Sequence, residues 1–307
     1  PVQRNYRTNI YGSLLTNTAD FNVVIAPGFN DPDNNYEVLN AKGVSQLKDL
    51  LASGADLSKK DVIVDLNGET MDSNIALNAH SVAIENGTVD ASQLSVKAEE
   101  GVTLRNVKLA GSFPKASSNA RVIVETAGDV VVDGLDYTGA TDGYNPIEIN
   151  LRNVVSKNVT VKNCKFANFT NNAMSVFGMA EGGVLNIENN TFDLAKTSEA
   201  VRISNKTNTK FTINVKDCSY TYPSDATGQW VGFFLFEDYT STAAEVNTAM
   251  QFKNLTINVD NVTFDGAKVT ELNLFSGARN QFACMCYDNL QGLIVTDATH
   301  FPTFTFK

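Results

Sequence analysis

The stretch TGQWVGFFLFEDYTS, residues 227–241, gathers the chain's only tryptophan, Trp230, with Phe234, Phe236 and the adjacent acids Glu237 and Asp238. An aromatic face beside carboxylates suits a sugar ring, which offers an apolar C–H face and a hydroxyl edge. The same residues also read as packing, with Phe234 and Phe236 in the core and Trp230 covering a neighbouring segment. Two further charged side chains, Glu148 in PIEIN and Arg202 in AVRIS, stand at outward letters of strand-like pentapeptides. Arg202 is the nearest thing in the chain to a catalytic base. Its plainer reading is a solvated charge on a sheet exterior. These five residues, Trp230, Glu237, Asp238, Glu148 and Arg202, are the candidates for ligand binding.

Other chemistries find no footing. A Ser-His-Asp triad needs a positioned histidine, and the two histidines, His80 and His300, are far apart in sequence beside no marked nucleophile. A zinc site is not expected, because there is no C-x-x-C pair. DPDNN at 31–35 offers oxygen ligands without the spacing of a calcium loop and reads as a linker. No cofactor is expected. Cys164 and Cys218 hold the same letter of a repeated motif, two repeats apart, which is too far for a disulfide. Cys284 and Cys286 lie two apart on one strand, pointing the same way. Four free thiols acting as small buried hydrophobes are expected. The formal net charge of −10, with 34 acids against 24 bases, disfavours a nucleic-acid partner and unaided binding of polyanions.

The elements that must position these residues are written as a repeat. VTVKNCKF (159–166), LNIENNTF (185–192), INVKDCSY (213–220) and INVDNVTF (257–264) share one pattern: aliphatic at letters one and three, Asn or Asp at five, Phe or Tyr at eight. Weaker copies are VVVDGLDY (130–137), VTLRNVKL (102–109), VAIENGTV (82–89) and VIVDLNGE (62–69). Alternation with period two marks a strand, and a recurring theme at such steps marks stacked units. A second strand follows within the repeats: RVIVE (121–125), PIEIN (146–150), AMSVF (173–177), AVRIS (200–204), FFLFE (233–237) and ELNLF (271–275). Strands that recur without helices between them predict an all-β parallel β-helix. Each strand there pairs with its equivalents in the coils above and below, and like side chains stack about 4.8 Å apart.

In that geometry Phe166, Phe192, Tyr220 and Phe264 form one inward column. Asn163, Asn189, Asp217 and Asn261 fall where the strand turns a corner. Short amide and acid side chains tolerate the left-handed backbone such a corner needs, and stacked amides can hydrogen-bond to one another. The repeated asparagine is therefore a corner post rather than a ligand site. The one repeat stretched to 44 residues contains Trp230, and insertions in solenoids emerge as loops on one face, often the binding face.

GVSQLKDLLASG (43–54) is the one clear helical stretch. Val44, Leu47, Leu50 and Leu51 make an apolar stripe, Ser45 reads as N-cap and Gly54 as the stop. A helix over 44–53 would cover the open first coil, whose bare edge would otherwise be exposed. No apolar run approaches the 18 residues of a membrane span.

A capping helix followed by coils of the form aliphatic-x-aliphatic-x-Asn-x-x-Phe resembles the right-handed β-helix of pectate-lyase-like proteins, over residues 36–307. That fold hosts lyases, hydrolases, adhesins and phage spikes. The resemblance therefore implies the fold, and leaves open a polysaccharide lyase or glycoside hydrolase beside a non-catalytic adhesion or glycan-binding module. RNYRTNIYGSLLT…FNVVI, within residues 1–30, resembles the closing strands of fimbrillin-like domains in surface proteins of Bacteroidetes. That resemblance implies a cell-surface lipoprotein, held at the outer membrane only through a lipid anchor upstream, with a role in a fimbria-like assembly as a further alternative. The expected division is 1–30 as the remnant of that domain, 31–35 as linker and 36–307 as the repeat domain. The expected partner is a polysaccharide or host glycan.

Overall fold

The structure, a computed structural model, describes residues 36–113, 120–141, 143–150, 154–204, 209–228, 231–238, 252–271, 273, 279–287, 293–294 and 301–307. The expectations for residues 1–35, for Trp230 and for His300 lie outside these. The chain divides into two compact units, Pro1–Glu37 and Val38–Lys307.

The described residues of the second unit are mostly strand, and the strands pair in parallel with their equivalents one repeat away. Three rows result. In the first row, letter one of the motif stacks as Val62, Val82, Val102, Val130, Val159, Leu185, Ile213 and Ile257, and ends on Phe304. All eight motif copies, weak and strong, occupy this row in the register their letters predict. In the second row, letter eight stacks Phe166 on Phe192, Phe192 on Tyr220 and Tyr220 on Phe264. The Phe166 and Phe192 rings lie 5.2 Å apart and 9° from parallel. Phe166, Phe192 and Tyr220 are buried and Phe264 is half-buried.

The corner between the first two rows bears out the reading of the asparagines. Asn86, Asn106, Asn163, Asn189, Asp217 and Asn261 all have φ between 51° and 59°. Where the fifth letter is glycine, Gly134 takes φ 76°. In the first copy the bend falls one residue later, on Asn67 (φ 54°), and Leu66 turns into the core. The posts bond along their column: Asn106 Nδ2 donates to Asn86 Oδ1 at 3.2 Å, Asn189 to Asn163 at 2.8 Å and Asn261 to Asp217 at 2.7 Å.

The third row holds Ala120–Thr126, Asn145–Ile149, Asn172–Val176, Glu199–Ile203 and Gly232–Asp238, as the second-strand segments predict. The next strand is Ala283–Tyr287, which pairs in parallel with Gly232–Asp238. It takes the place expected of 271–275, most of which lies outside the described residues. Apolar alternation is common to both segments, and only the long-range pairing distinguishes them. Inward columns of these rows form one continuous apolar core.

The helix runs Gly43–Ala52. Leu47 is fully buried, and Val44, Leu50 and Leu51 pack against the core as the stripe predicts. Gly54, at φ 62°, ends it. Ser45 is not the N-cap. Lys42 holds that position without a side-chain bond, and the backbone N–H of Val44 donates to Glu69 Oε2 at 2.8 Å. A carboxylate at a helix N-terminus satisfies an orphan donor and complements the dipole. Glu69 is the last letter of the weakest motif copy, so the residue that breaks the repeat is the one that anchors the helix.

Candidate functional site

Three of the five predicted residues meet on the third row, on the face away from the apolar core. Glu148, Ser175, Arg202, Leu235 and Cys284 stand in successive strands of one column. Leu235 and Cys284 stand where the sequence pattern put Asn273. Glu237 lies two residues beyond Leu235, on the same face, and forms an ion pair with Arg202 Nε. Arg202 also sits 5.2 Å from the centre of the Phe177 ring. Asp238 ends the same strand.

Sequence reading missed three neighbours. Glu199, Asn172 and Asn145 form the adjacent column. Asn172 Nδ2 donates to Glu199 Oε2 at 2.7 Å, and Asn145 Nδ2 donates to Glu148 Oε1 at 2.7 Å. The signal for them was present: each is the first residue of its third-row strand, just before the apolar letters used to find that strand.

The row is not a solvated exterior. Glu148 is 6% exposed, Glu199 2%, Arg202 6% and Glu237 8%. Burial pushes the Glu199 carboxyl well above its ordinary value, with the nearby Glu237 charge adding to the shift and Arg202 opposing it. Burial also raises the Glu148 carboxyl, against the Asn145 hydrogen bond and the Arg202 charge. The Ser175 hydroxyl, fully buried between Glu148 and Arg202, has no hydrogen-bond partner among the described residues. The arrangement is an acid whose ionisation burial disfavours, a salt-bridged acid and an arginine, all held beneath the surface. No group of three or more His, Cys, Asp or Glu suited to a metal ion occurs among the described residues.

A second arrangement lies partly exposed, on the outward face of the first row. Letter two of the motif stacks there as Thr160, Asn186, Asn214, Asn258 and Thr305. Asn258 Nδ2 donates to Asn214 Oδ1, and Asn214 Nδ2 to Asn186 Oδ1, each at 2.9 Å. The three amides form one rail, half-exposed along its length. The middle amide, Asn214, spends one N–H and one oxygen lone pair on its neighbours and keeps the others for solvent or ligand.

Cys164 and Cys218 are buried free thiols. Asn190 stands at their letter in the repeat between them. It accepts from the Cys164 backbone N–H at 2.8 Å and donates to Val161 O at 2.9 Å. Burial pushes both thiols up to about 12, so neither supplies a thiolate near neutrality. No helix of the described residues is long and apolar enough to cross a membrane.

Among known families, the model of a family of unknown function (DUF6562) matches residues 1–67. The match takes in the helix Gly43–Ala52 and the strand Lys60–Asp65. Neither a curated protein nor a solved structure matches the chain.

Proposed function

We propose that the second unit closes into a right-handed parallel β-helix capped by the helix Gly43–Ala52, and that the protein is a non-catalytic module that holds a polysaccharide or host glycan at the cell surface. The observation that carries this reading is the amide rail Asn186–Asn214–Asn258 on the open face of the first row. A polymer of sugar hydroxyls needs donors and acceptors repeated at a regular spacing. Parallel strands supply that repeat about every 4.8 Å. The rail is fixed by its own hydrogen bonds, so binding orders few side chains, and preorganisation of this kind saves affinity. Trp230 and Asp238 in the stretched repeat are proposed to extend the contact. Export and an upstream lipid anchor rest on the likeness of the first thirty residues to fimbrillin-like closing strands.

A polysaccharide lyase or hydrolase is the second reading. The gathering of Glu148, Glu199 and Glu237 around Arg202 favours it. Against it, groups buried to this depth present no surface to a polymer, and every one of the four has a partner that accounts for its charge or proton. Affinity electrophoresis against a panel of neutral, cationic and anionic polysaccharides, followed by assay of the retained ones for new chain ends, separates the two. The module reading expects retardation without products. Product formation that disappears in Arg202→Ala would replace it with the enzyme.

A further inference from the structure

The open face of the first row is not uniform. At its N-terminal end, over the strands that begin the repeat, it sinks into a groove of about 410 Å³. The sequence explains the depression. The two middle strands present small outward residues there, Ser81 and Ala83, then Gly101 and Thr103, while the flanking strands present Asp61 with Ile63 and Asp129 with Val131. A side chain at position 101 would bring its Cβ to 2.9 Å from Asp129 O, so the glycine keeps the floor low as well as the strands close. The two large hydrophobics most exposed to solvent among the described residues, Val38 at 50% and Ile63 at 37%, both border this groove.

Its charge has one sign. Asp61, Glu100 and Asp129 line it, and no Lys, Arg or His does so among the described residues. Asp61 accepts His80 Nδ1 at 2.8 Å and Ser81 Oγ at 2.6 Å, both at Oδ1, and Asp129 Oδ1 accepts Asn158 Nδ2 at 3.0 Å. These bonds fix the two carboxylates at Oδ1. An apolar floor with three carboxylates at its edge matches a ring that is apolar on its face and cationic at its rim. It repels uronates, sulfated sugars and phosphates.

We propose that this groove binds an amine-bearing sugar, a glucosamine-type run of a cationic glycan laid across the strands, with the C–H face of one unit on Ile63 and Ala83 and the ammonium of a following unit at Asp129 and Glu100. The proposal rests on the glycan reading and specifies the ligand class at one end of the same face.

The probe is a fully deacetylated glucosamine hexasaccharide, titrated calorimetrically at mildly acidic pH, with its N-acetylated counterpart and a tetralysine peptide alongside. The wild-type protein should bind the amine form at least about tenfold tighter than the acetylated form and than tetralysine, and the binding should weaken with salt. Asp129→Asn with Glu100→Gln should remove that preference, and Ala83→Phe should fill the groove and abolish binding. Circular dichroism and the melting transition report whether each variant folds, and the acetyl comparison on wild-type protein stands without any variant. Equal affinity for the two sugars, or tighter binding of tetralysine, would overturn the proposal. Binding of either sugar that Asn214→Ala weakens and the three groove substitutions leave alone would overturn it while keeping the broader reading. Failure of every polysaccharide to bind would remove both.

Discussion

Arg202 and Glu237 form an ion pair between adjacent strands of the third row, both almost wholly buried. Buried pairs repay their desolvation only when both partners are present, and removing one leaves an uncompensated charge that costs about 3–5 kcal/mol. Arg202→Met should therefore lower stability by about that much in urea denaturation. Arg202→Met combined with Glu237→Leu should recover most of the loss. If the double variant is as unstable as the single, the pair is not what holds these side chains in place.

Glu199 gives the site a pH dependence with a definite sign. Its carboxyl is raised well above the ordinary value of 4.5, first by burial and then by Glu237. Above that ordinary value the unfolded chain loses the proton while the folded chain keeps it. The favourable contribution of the protonated residue is therefore complete below 4.5 and declines as pH rises towards the folded value. Glu199→Gln keeps an oxygen for Asn172 and removes the ionisation. Its melting temperature should exceed that of the wild-type protein at about pH 8 by more than it does at about pH 4. A difference that shrinks as pH rises would contradict a buried carboxyl whose ionisation is pushed up.

Phe192 is stacked on Phe166 and meets the Phe233 ring edge-on at 5.4 Å. Phe192→Ala should cost roughly 3–5 kcal/mol, as truncation of other core aromatics does. Chemical denaturation measures this, and an unchanged midpoint would place letter eight of the motif outside the core.

The rows were legible because their signal is local. Val159, Val161, Asn163 and Phe166 each state their role by type and letter; three companion segments repeat all of it and four repeat it in part. What escaped depends on contacts between distant segments. Glu69 caps the helix at Val44 from far along the chain. Ala283–Tyr287 takes a place that 271–275 fits equally well by alternation. Thr303–Phe306, at the chain's end, closes the first row on Phe304 with too little of the motif to be seen. The candidate site was half legible for the same reason. Glu148 and Arg202 were found by their strand letters, yet alternation gives only the face, not what lies over it. A row read as solvent-facing proves to be buried. Glu199 was passed over because it precedes the apolar letters.

The thiols provide an independent check on the columns. Cys164 and Cys218 are buried with their ionisation pushed up to about 12, so the native protein should leave both unmodified by a thiol reagent at neutral pH. Denatured without reductant, the chain should show four reactive thiols. Two alone would mean a disulfide that the stacking of the strands does not allow.

Whether the amide rail holds a glycan is decided by its affinity for a polysaccharide that the wild-type protein retains. Asn214 is the middle amide, bonded to Asn186 on one side and Asn258 on the other, and it is half-exposed away from the core. Calorimetric titration of Asn214→Ala should show affinity reduced by about tenfold, the effect of losing one to two well-placed hydrogen bonds, with a melting temperature close to that of the wild-type protein. Unchanged affinity in a folded Asn214→Ala protein would contradict the claim that this face holds the glycan.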